Sequence, residues 1–110
     1  MLGIEIPWKT TIGHSTRLYH GTALVINDKA ILGDRVILRH GVTIGHLGPG
    51  LPAPRIGDDV EFGSNSIVIG DIDVGDRTII GSGAVLTKSV PADSVVRGNP
   101  AQIFPRSTAV

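Results

Sequence analysis

A chain of 110 residues with one Trp, one Tyr and two Phe has to build its core from small aliphatic side chains, and its length suits a single domain over residues 1–110. Ten Lys and Arg balance ten Asp and Glu, so the long-range field that draws nucleic acid or an anionic membrane surface is missing, and neither is expected as a partner. The absence of Cys excludes disulfides and a thiol nucleophile; with no secretory pattern in MLGIEIPWKT and no span-length apolar run, a cytoplasmic protein without membrane insertion is expected.

Read from the start, the chain repeats every six residues. Ile6, Ile12, Leu18 and Leu24 share one phase, and Thr10, Thr16 and Thr22 stand two places before the last three. From Ile26 the period continues in a shifted phase through Leu32, Leu38, Ile44, Ile56, Phe62, Val68, Val74, Ile80 and Leu86. Residues two places earlier, such as Ala30, Val36, Ser66, Thr78 and Ala84, are mostly small, and Gly follows the aliphatic position at Gly33, Gly45, Gly57, Gly63, Gly75 and Gly81. One aliphatic residue, one Gly and a polar pair per hexad describe a short strand and a corner. Three hexads close a triangular coil, so an all-β stack of parallel coils is predicted, with a two-residue slip near Leu24 to Ile26.

Between Ile44 and Ile56 the segment GHLGPGLPAPR keeps the phase but loses the pattern, and its Gly and Pro predict a protruding loop at about 46–55. After Leu86, TKSVPADSVVRGNPAQIFPR predicts a Pro-bounded turn and a short cap, about 91–110, over the open last coil. A single stack leaves flat apolar sides, which predicts self-association, and three-fold symmetry suits a triangular prism; a homotrimer is expected.

The slip sets the histidines. With it, His14, His20, His40 and His46 all follow an aliphatic residue by two places, where side chains leave the core; without it, His14 and His20 would be buried without partners, which is costly. Counting 18 residues per coil plus the slip makes His20 and His40 neighbours on one corner. The same count puts His46, Ser64 and Ser82 in a second outward column, with rungs ~4.8 Å apart.

The stretches LYHGTALVI, VTIGH, IGDDVEFGSNSIVIGDIDVGDRTIIGSGAVLTKSVP and VVRGNPAQI resemble the catalytic domain of bacterial serine acetyltransferases and of the related polysaccharide O-acetyltransferases of capsule and colanic-acid pathways. These are hexapeptide-repeat acyltransferases, and the resemblance covers nearly the whole chain. It implies a left-handed parallel β-helix that moves an acetyl group from acetyl-CoA to a hydroxyl, with no metal. His20, in LYHG, matches the family's catalytic histidine, a general base for an alcohol attacking a thioester. Transfer is then direct, since there is no Cys and no Ser recognisably paired with a base, and the oxyanion needs backbone N–H groups or a neighbouring subunit. His40 either acts directly or orients His20. Gly45, His46, Ser64 and Ser82 match positions that line the coenzyme arm, and Lys88 and Arg97 are the expected phosphate partners.

The departures bear on the acceptor. Serine acetyltransferases carry a long helical N-terminal domain, of which no counterpart is expected here, an Asp where this chain has Tyr19, and an Arg-His-Pro where it reads Pro52, Ala53 and Pro54. Arg39 and His40, in LRHGVTIGH, resemble the polysaccharide-directed branch, so a saccharide hydroxyl is the expected acceptor, with Arg39 and Tyr19 as substrate contacts. Serine, or another small molecule, is the alternative. Two other classes share the repeat: a zinc enzyme of the γ-carbonic anhydrase kind, whose histidine spacing is not reproduced, and a non-catalytic trimeric scaffold.

Overall fold

The computed structural model describes residues 10–18 and 24–107, which hold fourteen short strands and no helix. Each coil contributes one strand to each of three faces. The first coil supplies β1 (Thr11–Ile12), β2 (Arg17–Leu18) and β3 (Val25–Ile26); the second, β4 (Ile31–Leu32), β5 (Ile37–Leu38) and β6 (Thr43–Gly45). The third supplies β7 (Arg55–Ile56), β8 (Glu61–Phe62) and β9 (Ile67–Ile69); the fourth, β10 (Asp73–Val74), β11 (Ile79–Ile80) and β12 (Val85–Leu86). The parallel sheets β1-β4-β7-β10, β2-β5-β8-β11 and β3-β6-β9-β12 form the first, second and third faces. The chain is a left-handed parallel β-helix. Strands this short accumulate little twist, so the right-handed crossover that twist imposes on longer parallel strands has little hold here.

The aliphatic member of each hexad points inward. Ile26, Leu32, Leu38, Ile44, Phe62, Val68, Ile80 and Leu86 are buried, and so are the residues two places earlier, Ala30, Val36, Val42, Val60, Ser66, Thr78 and Ala84. Most of the small slots are apolar; of the polar ones, Ser66 Oγ donates to the Gly63 carbonyl at 2.8 Å and Thr78 Oγ1 to the Pro91 carbonyl at 3.4 Å, whereas Thr16 Oγ1 is buried without a hydrogen-bond partner among the described residues. Above the last coil, β13 (Ser94–Arg97) extends the second face parallel to β11, and β14 (Gln102–Pro105) folds back antiparallel on β13. The reversal runs through a cis Asn99–Pro100 bond.

The expected position of the slip needs correction. Leu18 pairs with Leu38, 20 residues on, whereas Ile26 pairs with Ile44, 18 on. The two extra residues therefore lie between Leu18 and Leu24, not at Leu24 to Ile26. Leu24 is fully buried in the slot two places before Ile26, as Val42 is before Ile44; it belongs to the shifted phase, not to the N-terminal one. A second correction concerns the loop: Ile44 pairs with Val68, 24 residues on. Six extra residues preserve the hexad phase but add the equivalent of one face to the coil, so positions 18 apart do not stack across the loop.

The corner between the first and second faces is held by charge. Ser15, Arg35, Asp59, Arg77 and Asp93 all take φ of 55–61° there, a conformation that costs an L-residue of order 1 kcal/mol or more. Two ladders offset it. Asp34, Asp58 and Asp76 accept the backbone N–H of His14, Asp34 and Asp58 at 2.8 Å each. Outside them, Arg35 forks onto Asp59 at 2.8 and 3.0 Å, and Arg77 onto Asp93 at 2.8 and 3.1 Å. The hydrogen bonds from these guanidinium groups, then their charge, hold the Asp59 and Asp93 carboxyls below the ordinary carboxylate range. A depressed folded-state pKa gives stability that is present above the unfolded value, about 4, and is lost as pH falls through the folded value. Both pairs are exposed, so salt weakens the effect. In urea unfolding, the wild type is expected to lose stability as pH falls below about 4, and the D59N/D93N variant, weaker at pH 7, to lose less over that window.

Two glycines separate backbone strain from close approach. Gly41 and Gly83 both have φ of 73°, but a Cβ on Gly41 would lie 2.0 Å from Asn65 Oδ1, whereas one on Gly83 would meet nothing within 4 Å. Gly83→Ala is expected to cost about 1 kcal/mol from its φ alone, and Gly41→Ala about 1 kcal/mol more from displacing Asn65, as read from denaturant midpoints.

Candidate active site

Chemistry-bearing side chains gather at the two edges of the third face. The first edge is the corner between the second and third faces. Here each inward aliphatic of the second face is followed by the corner residues: Arg39 and His40 after Leu38, Gly63 and Ser64 after Phe62, Gly81 and Ser82 after Ile80, Arg97 after Val96. The rungs are locked by backbone bonds, Asn65 N–H to the His40 carbonyl at 2.9 Å, Gly83 N–H to the Ser64 carbonyl at 2.9 Å and Gly81 N–H to the Val96 carbonyl at 2.7 Å. His40, Ser64 and Ser82 therefore form one column.

Within that column Ser64 Oγ lies 3.4 Å from His40 Nδ1, a long contact in which the hydroxyl donates or accepts according to the tautomer. Arg39 is held in place: it donates to Glu61 Oε1 at 2.6 Å and to the Phe62 carbonyl at 3.1 Å. Beside it runs a groove lined by Arg39, Glu61, Gly63, Ile79, Gly81 and Ser82. At its upper end the Arg97 guanidinium sits 5.7 Å from the Phe104 ring centroid, a cation–π distance. Sequence reasoning missed Glu61. The signal was a charged residue at the outward position of a strand one coil beyond Arg39, which becomes visible only once the 24-residue offset is known.

The second edge is the corner between the third and first faces. Gly45 ends β6, and a Cβ there would find open space. His46 begins the loop, half-buried, with Nδ1 hydrogen-bonded to the Gly48 carbonyl. That carbonyl also accepts the Leu51 N–H at 3.1 Å, and Gly50 has φ of 76°, so Gly48-Pro49-Gly50-Leu51 has the Pro and Gly placement of a type II turn. Lys88 is exposed on this same corner, two residues past Leu86.

The column expected from His46, Ser64 and Ser82 is thus not formed. His40 takes the place beside Ser64, because the loop moves His46 to the next corner while leaving its hexad phase unchanged. Of the proposed site residues, Arg39, His40, Ser64, Ser82 and Arg97 share one edge, and Gly45, His46 and Lys88 the other. Tyr19 and His20 lie outside the described residues; the strand just before them, β2, is offset by 20 from β5, the same interval that separates His20 from His40. His14 is exposed on the remaining corner, its Nδ1 3.8 Å from Asp34.

Residues 53–88 match the family described as bacterial transferase hexapeptide, six repeats. The chain is 42% identical over 102 residues to the putative colanic acid biosynthesis acetyltransferase WcaB of Escherichia coli strain K12, an alignment covering 92% of this chain and 63% of that protein. It belongs to the hexapeptide-repeat transferase family. Among solved structures of the family, the Neisseria gonorrhoeae serine acetyltransferase CysE superposes with a TM-score of 0.91 at 35% identity, over 98% of this chain and 42% of that one. A serine acetyltransferase in complex with CoA superposes at 0.81 with 29% identity, over 87% and 40%. The chain therefore spans less than two thirds of each of these relatives.

One consequence of the corrected register is spectroscopic. Ser64→Ala is expected to move the imidazole resonances of His40 and leave those of His46 in place; the reverse pattern would restore the His46 column.

Proposed function

We propose that this chain is an O-acetyltransferase that moves acetyl from acetyl-CoA to a hydroxyl of a sugar or polysaccharide precursor. The observation that carries this reading is the edge holding Arg39, His40, Ser64, Ser82 and Arg97 together in a chain with 42% identity to an acetyltransferase of colanic acid biosynthesis. His20 receives the proton of the acceptor hydroxyl as its oxygen attacks the thioester carbonyl carbon, and returns that proton to the departing thiolate. His40, beside Ser64, acts at the same corner. Backbone N–H groups or a neighbouring subunit stabilise the oxyanion. The groove past Gly63, Gly81 and Ser82 takes the pantetheine arm, with Arg97 of the same edge and Lys88 of the loop edge of a neighbouring copy toward the phosphates.

The working unit in this proposal is a homotrimer in the cytoplasm. His40 and His46 flank β6 with five residues between them, a span on the order of 15–20 Å, far beyond shared contact with one hydroxyl. A second copy packed on the third face brings the loop edge of one chain to the His40 edge of the next. That face suits burial: of its outward residues Val25, Thr43, Ile67 and Val85, all but Thr43 are apolar, whereas the first face presents Arg55 paired with Asp73 at 2.5 Å.

Serine is the second reading, favoured by the close superposition on serine acetyltransferases. Against it stand Pro52, Ala53 and Pro54 in place of the Arg-His-Pro of that branch. Acetyl-CoA calorimetry on the wild type and His20→Ala, followed by thiol release with a panel of saccharides and serine, separates the readings. Both proteins are expected to bind acetyl-CoA, with turnover by His20→Ala lowered roughly 10²- to 10⁴-fold. An intact wild-type oligomer that binds no acetyl-CoA overturns the proposal, and turnover with serine alone overturns the saccharide assignment.

A further inference from the structure

The loop closes one side of a pocket that the coenzyme groove does not include. Asn27, Asp28 and Lys29, on the corner one coil earlier, form one wall; His46, Pro49 and Leu51 form the other. Asn27 is spent on structure, its Oδ1 accepting the Lys29 N–H at 2.9 Å and its carbonyl the Ala30 N–H at 3.1 Å. Among the described residues, the Asp28 carboxylate and the Lys29 ammonium have no ion-pair or hydrogen-bond partner. The pocket thus offers one cation and one anion beside the apolar surfaces of Pro49 and Leu51.

His46 is the organised member of this set. A carbonyl oxygen can only accept, so the bond to Gly48 places the proton of the neutral imidazole on Nδ1 and leaves Nε2 with its lone pair free to accept. The Gly48 carbonyl is itself aimed by its second bond, from Leu51 N–H across the Pro49-Gly50 turn. Ring orientation and tautomer are therefore set by backbone, and among the described residues Nε2 has no partner of its own. An oriented acceptor next to the Lys29 ammonium, the Asp28 carboxylate and apolar surface matches a saccharide: hydroxyls that donate and accept on a ring with C–H faces.

We infer that His46 is an acceptor-positioning residue: its Nε2 accepts a hydrogen bond from a hydroxyl of a saccharide bound between the loop and the Asn27–Lys29 corner. This rests on the acetyl-transfer reading for its consequence in turnover, but not for the tautomer or for saccharide binding.

The test uses the intact oligomer and three variants. His46→Asn keeps a donor near the Nδ1 position for Gly48 and loses the distal acceptor; His46→Gln reaches the Nε2 position and loses the Gly48 donor; His46→Ala loses both. Long-range proton–nitrogen NMR of the wild type is expected to report the Nδ1–H tautomer and a change at Nε2 on titration with free hexoses and N-acetylhexosamines. With the best saccharide of that panel, His46→Ala and His46→Asn are expected to raise its KM roughly tenfold, the loss of one hydrogen bond. His46→Gln should recover part of that loss, and acetyl-CoA Kd should be the same in all four proteins. An Nε2–H tautomer overturns the inference, as does rescue by Asn in preference to Gln, which marks a purely structural loop contact. A change in acetyl-CoA Kd with no change in saccharide KM returns His46 to the coenzyme arm and overturns it as well. Saccharide binding at Nε2 in a wild type that binds no acetyl-CoA keeps the saccharide site and removes the acetyl-transfer reading; perturbation by serine alone keeps acetyl transfer open and removes the saccharide.

Discussion

Everything in this molecule depends on the hydrogen-bonded register between one coil and the next. At the start of the first corner, Gly13, Gly33 and Gly57 donate to the carbonyls of Leu32, Ile56 and Val74 at 2.8 Å, and Gly75 donates to Val90 at 2.9 Å. The rungs are the same although the chain between them differs in length at almost every step. Each buried amide needs a partner, and the next coil is the one surface that supplies it. Extra residues are therefore expelled to corners, where they disturb no rung.

That constraint divides the corners by function. The corner of the first and second faces carries ion pairs and carboxylate-to-amide bonds, an arrangement whose groups satisfy one another and leave little for a ligand. The other two corners are less complete in themselves. One holds His40, Ser64 and Ser82 above a groove; the other has been opened by the loop and holds His46 facing the Asn27–Lys29 turn. The polar surface that the fold does not consume lies at the two edges of one face.

A narrow prism cannot bring those edges together. Its core is one layer of aliphatic side chains, with Phe62 the largest fully buried member, so it has no interior space in which to place a substrate. A site of any depth has to be built outside the coil, from a corner, a loop and, in the proposed trimer, a neighbouring copy. For this reason the proposed acceptor pocket and the proposed coenzyme groove fall on different edges, and the proposal joins them through a second chain.

The six-residue period by itself determined the solenoid, its inward residues from Ile26 to Leu86 and the existence of a loop after Ile44, because inward burial at every hexad is a local demand written in each repeat. The grouping of Arg39, Ser64, Ser82 and Arg97 near one edge was open only in part, since it needs the length of each coil. The sequence misplaced the slip by assigning Leu24 to the strand phase, when it fills the small slot before Ile26, and it placed His46 with Ser64 because a six-residue loop is silent in a six-residue count. Which corner a residue occupies is decided by how many faces the chain has turned through, and that is a property of the closed coil and its interstrand bonds. The pairing of Arg39 with Glu61 and the capture of His46 by Gly48 were likewise decided in three dimensions, where residues distant in phase or bent into a turn become neighbours.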